Sequence, residues 1–295
     1  VPTISALLFT DPGCPWAYSF RPAHAHLAWR FGEQLDWQVV LIGLSETTEA
    51  YVERGYTPAR MTAGLRSFQR RFGMPFAFSV KPRVAATSRA CRAVVVVRET
   101  SPELADGALR AIQLMEFTTD GLLDEDSDLR QALERVRGLD AAAVVAQLDD
   151  PDTLAAYEAD RALARSAAGS PTHVQARSST SDGPVRYTAP SVLFERPEGR
   201  RLEVGGFQPF EAYDTALANL DPSLERRPAP GSVADALGAF PHGLTTAEVT
   251  AVMRPDDLAE TDRQATEAQL AALAGTGAVN CRPVGGDAMW QLHEG

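Results

Sequence analysis

The chain has 295 residues, 44% hydrophobic and 23% charged, a composition that excludes a mainly disordered protein and allows one large domain or two ordinary ones. Its formal net charge of −11, from 39 acidic against 28 basic residues, argues against a binder of nucleic acid or of anionic membranes. No run approaches the eighteen or so apolar residues of a membrane span. Cys14, Cys91 and Cys281 are too few and too widely spaced for a disulfide framework or a zinc-ligand cluster.

In chain order, "VPTISALLFTD" has neither a basic head nor a long apolar stretch and does not read as a signal peptide. It also lacks an initiator methionine, so a removed leader stays open; the three sparse cysteines make a reducing cytoplasm the expected compartment. "ISALLFTD" reads as a strand buried on both faces, ending in Asp-Pro-Gly. A helix is expected from Pro15 to about Phe31, kinked at Pro22 and stopped by Gly32. "LDWQVVLIGL" is a second strand, so the three elements form a crossover unit of a parallel sheet.

From about residue 57 to 169 the texture is helical, in five segments punctuated by Pro, Gly and Asp. "GSPTHVQARSSTSDGPVRY" reads as a loop, "PSVLFERPEGRRLEVGG" as a β-hairpin and "PFEAYDTALANL" as an amphipathic helix. Residues 1–220 therefore predict an α/β domain whose sheet is interrupted by a helical insertion. "DPSLERRPAPGS", residues 221–232, reads as a linker. Residues 233–295 follow with three helix-like segments and a hairpin turning at Gly285-Gly286, a small separate domain.

"DPGCPWAYSF" carries the chemistry. Cys14 falls at the start of the first helix, where unpaired N–H groups and the helix dipole favour a thiolate, so a lowered pKa is expected. Pro15 suits the first helical turn and Trp16 is placed to cover the sulfur. Asp11, Cys14, Pro15 and Trp16 resemble the DsbA-like branch of the thioredoxin fold, including FrnE-like oxidoreductases, whose motif is Cys-Pro-Trp-Cys. The resemblance implies a thioredoxin-like fold over residues 1 to about 220 and a cis-proline facing the cysteine. Pro190 in "YTAPSVLFE" is the preferred candidate, ahead of Pro171, with Thr188 and Ala189 as backbone for a bound peptide or thiol. Gly205-Gly206 and the helical insertion fit the same family.

The departure is Ala17, where the second cysteine belongs. Cys14 can then start thiol–disulfide exchange but has no adjacent thiol to resolve the mixed disulfide. The expected function is a single-cysteine oxidoreductase or isomerase acting on a disulfide-bearing protein or small thiol, with release by an external thiol. Kappa-class glutathione transferases and 2-hydroxychromene-2-carboxylate isomerases share the fold, and imply a glutathione- or mycothiol-like cofactor held without covalent turnover. A redox-silent binding protein is the third reading, and Ala17 as an engineered replacement stays open.

Other residues are read more plainly. Cys91 is expected as a packed core thiol rather than a distant resolver, and Cys281 as structural. Thr87 and Ser88 are placed near the site by the family resemblance. His24 and His26, two apart on one helix, cannot share a metal, and no metal site is expected. Arg66, Arg70 and Arg71 are candidates for an anionic thiol site or a solvated face. "FGMPFAF", residues 72–78, is either a cleft wall or a core contact. The C-terminal segment resembles a winged helix in "GLTTAEVTAVM" and its Gly-Gly turn. Asp256, Asp257, Glu260, Asp262, Glu267 and Asp287 oppose DNA there, leaving packing or homodimerisation as its expected role.

Overall fold

The computed structural model describes residues 3–255 and 259–293, so Asp256 and Asp257 lie outside the described residues. Strand β1 (Ile4–Thr10) runs through the core, with Ile4, Ala6, Leu8 and Phe9 almost fully buried. The expected kinked helix is instead two helices, α1 (Pro15–Ser19) and α2 (Arg21–Phe31). Pro22 lies in the first turn of α2, where its missing N–H leaves no bond unmade, so the chain restarts rather than bends. Gly32, at φ 53°, ends α2, and β2 (Leu35–Leu41) returns parallel to β1 as expected.

The helical block comprises α3 (Thr48–Glu53), α4 (Pro58–Phe72), α5 (Ser88–Thr100), α6 (Ala105–Thr118), α7 (Asp126–Leu133), α8 (Ala141–Ala146) and α9 (Pro151–Ala164). Two of these, α3 and α8, are too short to show a helical period and were not expected from the sequence. In α5, Val94 to Val97 are all buried and make it the central helix of the block. By contrast α4 has no buried residue: it lies across the surface as a lid, apolar on its underside.

The expected loop before the hairpin carries a short helix α10 (Pro171–Val174) and a minimal ladder of β3 (Ser178–Ser179) with β4 (Arg186–Tyr187). Pro171 starts α10 and leads into no strand of the main sheet. Then β5 (Ser191–Glu195) and β6 (Arg201–Val204) form the expected hairpin, and α11 (Phe210–Leu220) closes the domain. The four-stranded sheet has the order β2-β1-β5-β6, with β1 parallel to β2 and antiparallel to β5.

Residues 221–232 are not a free linker. Leu224 is buried, the Arg227 N–H donates to the Arg30 carbonyl, and the Trp29 indole donates to the Pro228 carbonyl at 2.8 Å. This strap delivers α12 (Val233–Gly238), β7 (Leu244–Thr245), α13 (Thr246–Val252), α14 (Arg263–Gly275), β8 (Val279–Val284) and β9 (Asp287–Leu292). The second sheet has the order β7-β9-β8. Its core includes Ala25 and Trp29 of α2, so the C-terminal module packs directly on the first domain. The wing turn is equally tight: a Cβ at Gly285 would stand 3.0 Å from the Phe76 backbone. Met74 and Phe76 are buried with Tyr18, Phe117 and Ala247, so "FGMPFAF" is chiefly a core contact between the two parts. Cys281, expected as a structural residue of the wing, is an exposed free thiol on β8.

A buried ion pair locks this junction: Arg110 Nη2 on α6 meets Glu248 Oε2 on α13 at 2.5 Å. Burial pushes the Glu248 carboxyl up, but the Arg110 charge and the Thr245 donors together hold it below its ordinary value. Removing one partner of such a pair costs about 3 kcal/mol. Glu248→Gln, which keeps an acceptor for the Thr245 capping box, is therefore expected to lower unfolding stability by about that amount at neutral pH. Because the folded pKa is depressed, the wild-type advantage is present above pH 4.5 and fades as pH falls below it, readable by denaturant melts at several pH values.

Candidate active site

The turn between β1 and α1 is built on Asp11. Its Oδ1 accepts the Gly13 N–H at 2.8 Å, and its Oδ2 accepts the Leu44 N–H at 2.8 Å and the Thr87 hydroxyl at 3.0 Å. The Cys91 thiol also donates to Oδ2, at 3.5 Å. One carboxyl thus ties the site turn to the end of β2 and the start of α5. It is fully buried, which raises its pKa, while the hydrogen bonds from Leu44, Gly13, Thr87 and Cys91 oppose the rise. Gly13 is required by close approach: a Cβ there would stand 2.7 Å from Thr87 Cγ2 and 2.9 Å from Leu123 Cδ1.

Cys14 is the N-cap residue of α1 in extended conformation, with Pro15 following in the first turn. Its side chain is 7% exposed, and Sγ donates to the Ala189 carbonyl at 3.3 Å. The Ala189–Pro190 peptide is cis, as expected, so residues 175 apart in sequence meet at the sulfur. The lowered pKa expected for Cys14 is overturned: burial pushes the thiol up to about 11. The N–H groups of Ala17 and Trp16 and the Arg186 charge pull it down, and the Asp11 charge pushes it up. Desolvation outweighs the helix end because the sulfur is almost out of water.

Trp16 borders the same cleft as Cys14. It is 40% exposed and its ring rests among Phe68, Phe72 and Phe207, with the Phe68 centroid 4.9 Å away. Thr188 turns aside, its hydroxyl donating to the Arg177 carbonyl at 2.7 Å. Ala17, 4% exposed, packs beside Cys14 against Phe9, Tyr187 and Ala189. Cys91 is fully buried, as expected, and its thiol is held well above its ordinary value, first by burial and then by Asp11. His24 and His26 diverge, one edge-on to Trp37 and the other stacked on Phe210, and no metal-binding cluster occurs among the described residues.

Cys14, Pro15 and Trp16 line a cleft of about 400 Å³ roofed by α4. Met61, Leu65 and Phe68 form the apolar roof, Tyr51 and Tyr56 one wall, and Thr87 part of the floor. Arg66, Arg70 and Arg71 are exposed and do not line it. Arg54 and Arg60 do, and neither makes an ion pair among the described residues: Arg54 donates to the Ala50 and Leu44 carbonyls and Arg60 to that of Gly55. Lys81, Arg83 and Arg186 in the same lining are neutralised by Glu116, by Asp124 with Glu125, and by Asp182. Sequence reasoning missed Arg54 and Arg60. A signal existed: residues 54–98 hold ten Lys and Arg and no Asp or Glu in a chain of net charge −11.

The family model described as a DSBA-like thioredoxin domain matches residues 7–186. No curated protein matches the sequence. Among solved structures, a candidate protein disulfide isomerase from Nitrosomonas europaea is 17% identical, with a TM-score of 0.55, covering 74% of this chain and 97% of its own. The cytosolic disulfide reductase DsbM from Pseudomonas aeruginosa is 17% identical at a TM-score of 0.51, covering 74% and 100%. A structure of that reductase with GSH is similar to the same degree, at 18% identity, a TM-score of 0.51, and coverage of 73% and 100%. A candidate DsbA oxidoreductase from Streptomyces coelicolor is 20% identical at a TM-score of 0.51, covering 74% and 89%. At these identities the structures share the fold.

Ala17 stands one helical turn from Cys14, on the same side of α1. Ala17→Cys is expected to close a disulfide with Cys14 under mild oxidation. Thiol titration should then show two fewer reactive groups than the reduced variant; an unchanged thiol count would rule out a pairing geometry at this turn.

Proposed function

The chain belongs to the DSBA-like thioredoxin-domain family, and on that premise we propose that it exchanges thiols and disulfides through one cysteine, Cys14, on a carboxylate-bearing low-molecular-weight thiol of the glutathione class. The observation that carries this reading is the position of Cys14: it lines the cleft, faces the cis-Pro190 loop, and has Ala17 where a resolving thiol would stand.

Exchange takes two balanced steps. The Cys14 sulfur gives up its proton and attacks one sulfur of a disulfide RS–SR; the Cys14–S–S–R bond forms, the RS–SR bond breaks, and the leaving thiolate takes up a proton. A second small thiol R′SH then attacks the mixed disulfide, releasing RS–SR′ and restoring the Cys14 thiol. Pro15 and Trp16 border the attacking sulfur, and the Thr188–Ala189–Pro190 backbone receives the extended part of the substrate. With a pKa of about 11, roughly one Cys14 in ten thousand is ionised at pH 7. Exchange is accordingly slow at neutral pH and steepens with alkalinity. Arg54 and Arg60 supply the positive charge that a carboxylate-bearing thiol requires. A reducing compartment such as the cytoplasm would provide R′SH.

The neutral thiol supports a second reading. A protonated Cys14 is suited to donate a hydrogen bond to a bound thiolate cofactor, as in the kappa-type enzymes, without a covalent step. The helix–strand–helix–helix–strand–strand order of residues 233–292 supports a winged-helix-like module. Its burial against α2 and α6 supports a packing role for it.

Incubation with oxidised glutathione followed by intact-mass measurement tests the main reading. In a Cys281→Ser background, which removes the exposed thiol of β8, one glutathionyl adduct on Cys14 is expected, reversed by dithiothreitol, absent when Cys14→Ser is added and faster at higher pH. Arg60→Ala should raise the disulfide concentration for half-maximal rate about tenfold, the size of one charge-assisted hydrogen bond. Saturable glutathione binding without an adduct would replace this reading with the cofactor one, and neither result would leave a redox-silent binding protein.

A further inference from the structure

On the other side of Thr119 from the Cys14 cleft, α6 and α7 of the first domain and the sheet of the C-terminal module enclose a cavity of about 300 Å³. A shallower concavity of about 450 Å³ adjoins it over β8 and β9, and the two share Arg135, His242, Arg282 and Met289. Arg135 follows the end of α7 and Arg282 stands on β8, so each domain contributes one guanidinium to the shared lining; Arg137 also borders the outer concavity and is engaged elsewhere.

Most cations of this chain sit on carboxylates, among them Arg83, Arg89, Arg92 and Arg98. Arg135 and Arg282 do not: neither side chain makes a hydrogen bond or ion pair among the described residues. Instead they line the same two cavities, and the charge of one acts on the other. Burial, then the charges of Arg135 and Arg110, hold the Arg282 guanidinium below its ordinary value. Behind them Arg110 is already neutralised by Glu248. Asp120 and Asp128 border the inner cavity, and each accepts a local hydrogen bond, from Ser79 and from the Leu122 N–H. The outer concavity has no carboxylate among its described lining, while His242 and Asn280 add polar groups.

We propose that this groove between the domains binds a compact multivalent oxyanion, of the phosphoryl or polycarboxylate class, clasped between Arg135 and Arg282. Planar guanidinium forks match both kinds of oxyanion. Two mutually repelling cations with no counter-ion among the described residues favour an external one, because the anion turns a repulsion into two attractions. The size of the groove selects a small molecule over a duplex or a protein surface. Since one arginine comes from each domain, the bound anion also fastens the C-terminal module to the first domain. None of this depends on the reaction of Cys14.

The test is calorimetric titration and thermal unfolding of the full chain with pyrophosphate and with citrate, against sodium chloride at equal ionic strength. One saturable site is expected for at least one of the two, with a rise in melting temperature that chloride does not reproduce. Preference for pyrophosphate assigns a phosphoryl ligand, and preference for citrate a polycarboxylate. Arg135→Ala and Arg282→Ala, both changes of exposed side chains, should each weaken binding at least about tenfold, and Arg282→Lys should recover part of it. Arg66→Ala on α4 should leave it unchanged. Absence of saturable binding, an equal effect of chloride, or wild-type affinity in either alanine variant overturns the proposal.

Discussion

Desolvation of two ionisable groups at the end of β1, the Asp11 carboxyl and the Cys14 thiol, governs the rest of the site. A buried carboxyl survives only when donors surround it. Asp11 recruits them from three places, the Gly13 turn, the Leu44 segment after β2, and Thr87 at the head of α5. Those bonds bring the crossover unit and the helical insertion together at one point. They also place Cys14 where the chain leaves the sheet. The price is electrostatic: a carboxyl so close to the thiol works with burial, against the helix end, and Cys14 remains a neutral thiol.

That balance distinguishes this site from one built for fast oxidation. Helix N–H groups alone would favour a thiolate. Here the sulfur is covered by the Ala189–Pro190 loop and spends its proton on the Ala189 carbonyl. With Ala17 in the resolving position, the site lacks both a pre-formed nucleophile and an internal exit. Its compensation is a large cleft under α4, with apolar walls and two arginines that have no carboxylate partner among the described residues. On the proposed reading, that cleft holds the small thiol beside Cys14. The C-terminal module supports the roof from behind: Arg263 donates to the Gly73 carbonyl at the end of α4, and the Gly285 turn abuts Phe76.

The sheet and its cis-proline were legible because they rest on local signals: the apolar run of β1, the Asp-Pro-Gly turn, and the order of Pro190, hairpin and helix. The break at Phe20 was not, since a proline in mid-pattern looks the same whether it kinks a helix or restarts one. The strap at 221–232 reads as linker by composition, yet Leu224 and the partners of Arg227 and Pro228 fasten it to the first domain. The thiol's protonation state could not be read from "DPGCPWAYSF" at all. It depends on the Ala189 carbonyl, on Arg186 and on burial by distant segments, and the local helix end points the other way. Arg54 and Arg60 escaped notice because each is unremarkable singly; only the acid-free stretch around them marks the cleft.

The most direct measurement is the pKa of Cys14 itself, from the difference in ultraviolet thiolate absorbance between the wild type and Cys14→Ser as pH is raised. The account predicts one difference transition at about 11. A transition below about 8, in the range of activated cysteines, would show that the helix end and not burial governs this thiol, and would contradict it.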